Sequence, residues 1–338
     1  MPTGQDTQGA AVARLSMDPR WVPLLFGESD IAALRRSLDL RPGPPILDFA
    51  TAEAPTLAEI EVLITGWGCP ALGPAELDAM PKLAAVFHAA GTVKTFLDRE
   101  VWDRGILVTS AASANAIPVA EYTVAMILLA GKGVPRIAHD YARGIDKPAE
   151  LSQIGNYGRT VGIVGASRIG RLVIDRLAGF DFEVLVYDPY ITAEDPVLAH
   201  ARSVQLDELF RRSSIVSVHA PELATTRGMI GARELQLLAP GSTIVNTARA
   251  SLIDQDALID ALRTTDLTAI LDVTDPEPLP VGHPLLELPG VVLTPHLAGA
   301  QGNELARLGH AVVIEAERFA AGLQPVHPLA FSDLASMA

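Results

Sequence analysis

The sequence has very little cysteine and very little lysine for its length. Its 338 residues include one cysteine, Cys69, so no disulfide can form within the chain and a cysteine-rich zinc site is excluded. Only four of the 26 basic residues are lysine, so arginine is the default cation, and the formal net charge is −14. Because phosphate binding needs concentrated Lys and Arg, this acidic balance argues against a nucleic-acid partner.

Long hydrophobic runs are also missing. The longest, residues 123–131 (TVAMILLAG), is about half the length that a bilayer span needs. Residues 1–20 are polar and mixed and lack the apolar core of a signal peptide. We therefore expect a soluble protein of a reducing compartment, the cytoplasm, with no membrane partner and no metal site.

From residue 160 onward, short apolar runs alternate with helical patterns. The runs are continuously apolar, as expected for strands buried on both faces, and repeated β–α alternation indicates parallel strands with right-handed crossovers. The sequence therefore predicts a Rossmann-type doubly wound parallel sheet. The predicted strands are 161–164, 184–187, 215–219, 243–246, 269–273 and 291–295, and the predicted helices are 168–180, 206–212, 232–238 and 254–263.

The first 115 residues show the same alternation less clearly and predict a second, smaller flavodoxin-like α/β domain. A long apolar helix, about 119–129, and a polar segment, 139–157, follow it. A helix over 304–321 is expected to return the chain to this domain, so that it consists of 1–115 with 304–338, and 116–303 form the larger domain. The extreme N-terminus and 332–338 are expected to be loose. Strands are predicted at 45–50, 61–67, 83–89 and 106–111, and helices at 30–38 and 75–80.

A glycine-rich turn follows the first strand of the larger domain. Residues 165–170 read G-A-S-R-I-G against the dinucleotide-binding pattern G-x-G-x-x-G, in which backbone N–H groups hold a pyrophosphate at a helix N-terminus. Ser167 replaces the middle glycine, which weakens the match, although its small side chain can itself donate to a phosphate. We expect a cofactor contact from every residue of this turn except Ala166, namely Gly165, Ser167, Arg168, Ile169 and Gly170.

Asp188 ends the next predicted strand, at the distance where dinucleotide sites carry a carboxylate for the ribose hydroxyls. Pro189 and Tyr190 follow, with no arginine to receive a 2′-phosphate. The sequence therefore favours NAD over NADP and assigns the larger domain to this cofactor. The alternative is that Asp188 is a simple strand-end residue.

Three ionisable residues follow the last parallel strands. Arg249 follows TIVN, Glu277 follows AILDV, and His296 follows VVLTP. Because ligands bind outside the carboxyl ends of strands in open α/β sheets, a cation, a carboxylate and an imidazole are expected to converge there. The alternatives are that Arg249 is a structural ion-pair residue and that Glu277 is an exposed loop acid.

The order of these segments resembles the D-isomer-specific 2-hydroxyacid dehydrogenase family. The resemblance covers 115–299 well and the first 80 residues only loosely, and it includes Val119-Ala-Glu121, His219-x-Pro221 with Thr226, and Leu271-Asp-Val273. Three positions depart from the family pattern: Ser167, Ala250 in place of a glycine after Arg249, and Tyr122 where a histidine is frequent.

The resemblance implies a role for each residue of the constellation. His296 would protonate the ketone oxygen during reduction, Glu277 would orient the imidazole and favour its protonated form, and Arg249 would bind the substrate carboxylate. His219 either faces the cofactor or caps a strand. By resemblance, cofactor contacts are also expected from His219, Pro221, Thr226, Thr247, Ala248 and Asp272, and substrate contacts from Ala90, Gly91 and Asn115.

The sequence therefore predicts an NAD-dependent dehydrogenase that interconverts a small 2-keto acid and a D-2-hydroxy acid, similar to glyoxylate and hydroxypyruvate reductases. Resemblance also implies a homodimer built around the long helix that begins near Val119. One alternative is an NAD-responsive binding or corepressor-like protein on the same fold. Another is a phosphoglycerate dehydrogenase, expected only in a short form because no regulatory domain follows residue 338 in this sequence.

Overall fold

The computed structural model describes residues 9–144 and 154–336. The chain divides into two compact units, Met1–Asn115 with Ala300–Ala335, and Ala116–Gly299 with Ser336–Ala338. Each unit is organised around one sheet, with five strands in the first and seven in the second. The predicted fold class, a doubly wound parallel sheet with a second, smaller α/β domain, is confirmed.

The first unit begins with alternating strands and helices. Its strands all pair in parallel, in the order β2-β1-β3-β4-β5 of the elements named below. Strands β3 and β4 are buried along their whole length, which explains why each begins with three apolar residues. The elements are β1 (Val12–Ser16), α1 (Val22–Leu25), α2 (Glu28–Ser37), β2 (Asp39–Leu40), α3 (Ala54–Ala58), β3 (Val62–Thr65), α4 (Pro74–Ala79), β4 (Ala85–His88), α5 (Glu100–Asp103) and β5 (Leu107–Ser110).

Two helices follow β5: α6 (Ala112–Gly131) and α7 (Val134–Ala142). Helix α6 is long and apolar enough, by length and composition, to cross a membrane, but more than half of its apolar window is buried inside the protein. Val124, Ile127 and Ala130 pack in the core of the second unit. Helix α6 is therefore a core helix in this fold. The predicted polar segment 139–157 includes the end of α7, and its residues 145–153 lie outside the described part.

The second unit carries the seven-stranded sheet, in the order β12-β11-β10-β9-β6-β7-β8 of the elements named below, with every pair parallel. Two apolar cores cover its two faces. The strand order reverses between β6 and β9, which is where open α/β sheets bind ligands. The elements are β6 (Thr160–Val164), α8 (Arg168–Leu177), β7 (Glu183–Tyr187), β8 (Arg202–Ser203), α9 (Leu206–Arg212), β9 (Ile215–Val218), α10 (Ala232–Gln236), β10 (Thr243–Asn246), α11 (Gln255–Thr264), β11 (Thr268–Leu271) and β12 (Val291–Leu293).

The last long helix, α12 (Leu305–Ala320), belongs to the first unit and packs on α1 and α2. Its Glu315 is only 4 % exposed. The Glu315 carboxylate accepts the backbone N–H groups of Val326 and His327 at 3.0 and 2.7 Å, which fixes the chain after the helix. A buried carboxylate is tolerated here because it has hydrogen-bond donors.

Several sequence predictions of local structure are wrong. Residues 45–50 form no strand, because prolines precede them and Asp48 accepts the N–H of Ala50 in a turn. Strand β1, which contains the polar Arg14, was not predicted. Helix α6 begins at Ala112 rather than near Val119, and Pro118 lies inside it. Residues 331–336, expected to be loose from 332, form a 3₁₀ helix in which Phe331 packs against Trp102.

Replacing Gly309 with alanine is expected to destabilise the first unit strongly. A Cβ at Gly309 would lie 1.7 Å from the carbonyl oxygen of Leu25, so α1 and α12 would have to separate. Overpacking costs roughly 1–3 kcal/mol, and a clash with backbone reaches the upper end or beyond, more than the ~1 kcal/mol that alanine gains over glycine in a helix. Urea unfolding measures the change. Gly179→Ala is the matched control, because its new Cβ meets nothing nearer than 3.7 Å. Equal stability of the two variants would contradict this packing argument.

Candidate active site

Three neighbouring strands of the second unit deliver the predicted catalytic residues. Strands β10, β11 and β12 pair in register, with Asn246 beside Leu271 and Leu271 beside Leu293. Arg249, Glu277 and His296 lie in the segments that follow these strands. Because parallel strands end at the same edge of the sheet, the three side chains come from one edge of one unit.

His296 and Glu277 form a hydrogen bond. The imidazole Nδ1 lies 3.0 Å from Oε1 of Glu277, and both side chains are about half exposed. A carboxylate accepts only, so Nδ1 carries the proton in this pair and Nε2 is the nitrogen left for another partner. The pair therefore presents an oriented imidazole to solvent.

His296 has an unusual backbone conformation. Its φ is +53°, and it is the one non-glycine residue with positive φ in the described part of the chain. This region is costly for a side chain with a Cβ, and such residues persist where the surroundings hold them. The His296 N–H donates to the carbonyl oxygen of Asp272 at 2.9 Å, which is one of those restraints.

The buried carboxylate of Asp272 holds the segment around His296, residues 294–298, which we call the histidine loop. It is 1 % exposed and accepts hydrogen bonds from the Thr294 hydroxyl at 2.6 Å and from the Leu297 and Ala298 N–H groups, both at 2.9 Å. With three donors from its own chain, Asp272 positions His296 in this structure. Its predicted contact with the cofactor remains a prediction.

Tyr122 extends this network from helix α6. Its hydroxyl lies 2.8 Å from Oγ1 of Thr294. Because the Thr294 hydroxyl hydrogen points to Asp272, Tyr122 must be the donor. Burial raises the pKa of Tyr122, and the Asp272 charge acts in the same direction, so the phenol keeps its hydrogen at neutral pH. Sequence reasoning noted Tyr122 only as a departure from a pattern and missed this contact.

Arg249 leaves β10 in an extended conformation fixed by a neighbouring amide. The Asn246 side chain donates to the Arg249 carbonyl at 2.8 Å and accepts from the Ala248 N–H at 3.0 Å. Nη1 of Arg249 donates to the Ala248 carbonyl at 2.7 Å. The buried Thr247 hydroxyl bonds Thr123 of α6 at 2.9 Å. These hydrogen bonds fix the backbone of Ala248 and the side chain of Thr247.

The glycine turn lies at the point where the strand order reverses. Gly165 has φ +99°, and a Cβ there would lie 2.5 Å from the Ala220 nitrogen after β9. A Cβ on Gly170 would lie 2.1 Å from the Gly165 carbonyl oxygen. Both positions therefore require glycine, Gly165 for the tight turn and Gly170 for the close packing of α8 on that turn, as the first and last glycines of dinucleotide-binding turns do. The residues of the turn fit NAD on this ground.

Ser167 acts as the N-cap of α8. Its hydroxyl accepts the Gly170 N–H at 3.3 Å, which replaces the backbone freedom of a glycine with a capping bond. Arg168 is the exposed first residue of the helix, and Ile169 is partly buried against the core. The N–H groups of this first turn carry the positive end of the helix dipole.

Asp188 follows β7 beside the turn. Its Oδ2 accepts the Ala166 N–H at 2.7 Å and its Oδ1 accepts the Tyr190 N–H at 2.9 Å. Each oxygen keeps capacity for a further donor, such as a ribose hydroxyl. The glycine turn therefore orients the Asp188 carboxylate through the Ala166 N–H.

Hydrogen bonds within the segment that follows β9, and to the end of β9, hold this segment in place. His219 is buried, and burial lowers its pKa to about 3, so it is neutral at physiological pH. Its Nε2 bonds Ser217 at 2.8 Å, whereas Nδ1 has no hydrogen-bond partner among the described residues. The Thr226 hydroxyl donates to the Pro221 carbonyl at 2.6 Å and shapes the loop. The expected contact of His219 with the cofactor remains a prediction.

The predicted substrate residues lie in the first unit. Ser110 donates to the Ala90 and Gly91 carbonyls at 3.1 and 2.5 Å, so this loop is anchored to the end of β5. The Asn115 side chain accepts the Ala300 N–H at 2.9 Å, and its Nδ2 lies 3.9 Å from the Cβ position of Gly91. The structure thus brings Gly91 and Asn115 together. Among the residues described, no group of three or more His, Cys, Asp or Glu could hold a metal ion.

Comparison with known proteins gives the family. The model of the D-isomer specific 2-hydroxyacid dehydrogenase NAD-binding domain matches residues 124–298. The chain is 34 % identical to a D-3-phosphoglycerate dehydrogenase of Methanocaldococcus jannaschii over 71 % of this chain and 46 % of that protein. It is 34 % identical to a glyoxylate reductase of Korarchaeum cryptofilum, over 70 % of this chain and 72 % of that protein.

A solved structure shows the same fold over most of the chain. A phosphoglycerate oxidoreductase from Rhizobium etli has a TM-score of 0.81 and 23 % identity, covering 95 % of this chain and 98 % of that chain. The alignment spans about half the length of the phosphoglycerate dehydrogenases matched, 46 % for the archaeal one. The matched model covers the glycine turn, Asp188, Arg249, Glu277 and His296. The chain therefore belongs to the D-isomer specific 2-hydroxyacid dehydrogenase family and carries that family's NAD-binding domain.

Proposed function

We propose that the protein is an NAD(H)-dependent dehydrogenase that interconverts a small 2-keto acid and the corresponding D-2-hydroxy acid, in the manner of a glyoxylate or hydroxypyruvate reductase. The observation that carries the proposal is the hydrogen-bonded His296–Glu277 pair on the strand edge that also presents Arg249. An imidazole with an oriented nitrogen and a guanidinium are the groups that reduction of a 2-keto acid requires.

His296 acts as the acid in reduction and as the base in oxidation. Nδ1 donates to Glu277, so Nε2 delivers the proton to the ketone oxygen. Glu277 stabilises the imidazolium and keeps the ring in this orientation. NADH, held by the glycine turn and Asp188, would supply the hydride for the carbonyl carbon. Asp272 maintains the backbone of the histidine loop throughout.

Arg249 binds the carboxylate of the substrate. Its planar guanidinium offers two parallel N–H donors to a carboxylate, which fixes the orientation of the keto group as well as its position. The backbone of Ala90 and Gly91 and the side chain of Asn115 are proposed to contact the substrate as well. The unit with residues 1–115 and 304–338 is then the substrate domain, and 116–303 are the cofactor domain.

Assembly and location follow the same proposal. A homodimer built around α6 and a cytoplasmic location fit a metabolic dehydrogenase of this family. The corepressor-like alternative is distinguished from the enzyme by turnover, because such a protein binds NADH without consuming it.

A panel of 2-keto acids tests the proposal. Glyoxylate, hydroxypyruvate, pyruvate and a branched 2-keto acid are each mixed with the protein and NADH or NADPH, and the loss of nicotinamide absorbance is followed. We expect turnover of at least one small 2-keto acid with NADH and a D-configured product by chiral chromatography. NADH binding without turnover of any member would contradict the enzyme proposal.

Phosphoglycerate dehydrogenase is the second candidate, because several relatives carry that name at 31–36 % identity. Oxidation of D-3-phosphoglycerate with NAD, compared with oxidation of D-glycerate, separates the two candidates. A kcat/KM that favours the phosphorylated substrate would make this second candidate the better one.

A further inference from the structure

The guanidinium of Arg171 lies within electrostatic reach of Asp188, the carboxylate predicted to bind the ribose. Nε of Arg171, in the first turns of α8, donates to the Ala166 carbonyl oxygen at 2.9 Å. The N–H of the same Ala166 donates to Oδ2 of Asp188 at 2.7 Å. Arg171 and Asp188 are thus bound to the carbonyl and the amide of a single residue of the glycine turn.

A second carboxylate occupies the guanidinium. Nη1 and Nη2 of Arg171 donate to the two oxygens of Asp195 at 2.5 and 2.7 Å, the parallel two-bond arrangement that is the strongest form of this pair. Asp195 is held in place because Oδ1 also accepts the Val197 N–H at 3.0 Å, and its side chain is only 12 % exposed. All three nitrogens of the guanidinium therefore have an acceptor.

Arg171 and Asp195 are both ionised at physiological pH. The hydrogen bonds from Arg171, followed by the bond from the Val197 N–H, lower the pKa of the Asp195 carboxyl to about 2. The pKa of Arg171 is raised, first by its bonds to Asp195 and also by the charges of Asp195 and Asp188. Arg171 therefore carries a positive charge within the electrostatic reach of both carboxylates.

NADP differs from NAD by a phosphate on the adenosine ribose, and sites for it supply an arginine where NAD sites supply a carboxylate. We propose that Arg171 is a latent cation for that 2′-phosphate and that Asp195 masks it, so that two carboxylates, Asp188 and Asp195, exclude NADP. Asp188 repels the phosphate and engages the ribose hydroxyls. Asp195 keeps the neighbouring guanidinium from offering its fork to the phosphate.

The preference for NAD would then have a second cause besides the charge of Asp188. Pro189 and Tyr190, which follow Asp188, offer no cation for a 2′-phosphate, but Arg171, in the helix that follows the turn, lies within electrostatic reach of Asp188. A cation that could bind the 2′-phosphate is present. The preference for NAD then depends on the pairing of Arg171 with Asp195.

Unmasking Arg171 tests the proposal. Asp195→Asn keeps an oxygen for the Val197 N–H but removes the charge, and Asp188→Ser removes the repulsion. Dissociation constants for NADH and NADPH are measured by fluorescence titration of the dihydronicotinamide. We expect the double variant to bind NADPH about 10- to 100-fold more tightly than the wild type, the range for a charge-assisted phosphate–arginine contact. Asp195→Asn alone is expected to leave NADH binding unchanged.

Adding Arg171→Gln to the double variant decides the role of the arginine. We expect this third change to return NADPH binding to that of Asp188→Ser alone. A gain in NADPH affinity that survives Arg171→Gln overturns the proposal, and so does a double variant that binds NADPH no better than Asp188→Ser. Asp195→Ser, which also retains a capping oxygen, repeats the test if the asparagine variant unfolds at the assay temperature.

The matched control is Asp266→Asn, which removes the same charge from a carboxylate paired with Arg136 just before β11, at the opposite ends of the strands. No change in NADPH affinity is expected there, whereas an equal gain would assign the effect to net charge and overturn the proposal. Because the readout is binding, absence of 2-keto acid turnover would contradict the proposed function and leave this result unaffected.

Discussion

Replacing His296 with alanine is expected to lower kcat by about 10²- to 10⁴-fold, the contribution of a positioned proton donor. A carboxylate holds this imidazole at the strand edge, with Nδ1 3.0 Å from Oε1 of Glu277. Its removal leaves the glycine turn and Asp188 untouched, so the dissociation constant for NADH is expected to stay within about twofold. Steady-state kinetics with the best substrate of the 2-keto acid panel and NADH titration measure the two quantities.

Two further variants control the His296 experiment. Glu277→Gln keeps a hydrogen-bond acceptor but removes the charge that stabilises the imidazolium, so a smaller loss of kcat is expected. His310→Ala removes another exposed histidine that faces a carboxylate, Asp30 at 3.6 Å in the first unit, and no loss is expected. Full activity of His296→Ala would show that His296 is not the proton donor.

Replacing Arg249 with glutamine is expected to lower kcat/KM for the 2-keto acid by about 10²- to 10³-fold, because two charge-assisted hydrogen bonds to the substrate carboxylate are lost. Arg249→Lys keeps the charge without the planar fork, and an intermediate loss is expected. The backbone of this segment does not depend on the guanidinium alone, since the Asn246 amide holds it with two hydrogen bonds. The loss therefore reports on substrate binding.

Guanidine added to Arg249→Ala provides a positive test of the same role. A free guanidinium ion that enters the vacated space is expected to restore part of the activity, whereas an ammonium ion restores less. Arg211→Gln is the matched control, because this exposed arginine pairs with Asp207 on its own helix. Unchanged kcat/KM in Arg249→Gln would contradict the assignment of the substrate carboxylate to Arg249.

The contacts around His296 explain why substitutions away from the reacting groups are expected to matter. The buried Asp272 carboxylate accepts the Leu297 and Ala298 N–H groups and the Thr294 hydroxyl, and Tyr122 donates to that hydroxyl. Together with the bond from the His296 N–H to the Asp272 carbonyl, they hold the imidazole in a backbone conformation with positive φ. Helix α6, through Tyr122, thus supports the loop that carries His296.

Local pattern was sufficient for most of the larger sheet. Strands buried on both faces have uninterrupted apolar sequences, and β6, β9, β10 and β11 were each located to within about two residues, the usual precision of element boundaries. The smaller sheet was harder. Strand β1 contains Arg14 and was not recognised, whereas the apolar Ile46 and Phe49 are buried without joining the sheet. Burial alone does not distinguish a strand from a packed loop.

For the site, the order of motifs along the chain was informative because strands of a parallel sheet end at one edge. Arg249, Glu277 and His296 could therefore be grouped from sequence before any distance was known. Contacts that join distant segments could not be found in this way. Tyr122 and Thr294 are 172 positions apart, and Arg171 and Asp195 are 24 positions apart with a strand between them.

The sequence by itself determined the fold class, the family and the cofactor, because glycines, apolar runs and strand-end residues act through local backbone geometry that spacing records. Only the tertiary structure decided which polar groups form ion pairs and hydrogen bonds with one another. It paired Arg171 with Asp195, surrounded Asp272 with three donors and left Nδ1 of His219 without a partner among the described residues. Hydrogen bonds and ion pairs depend on distances of a few ångströms, and these exist only once the chain has folded.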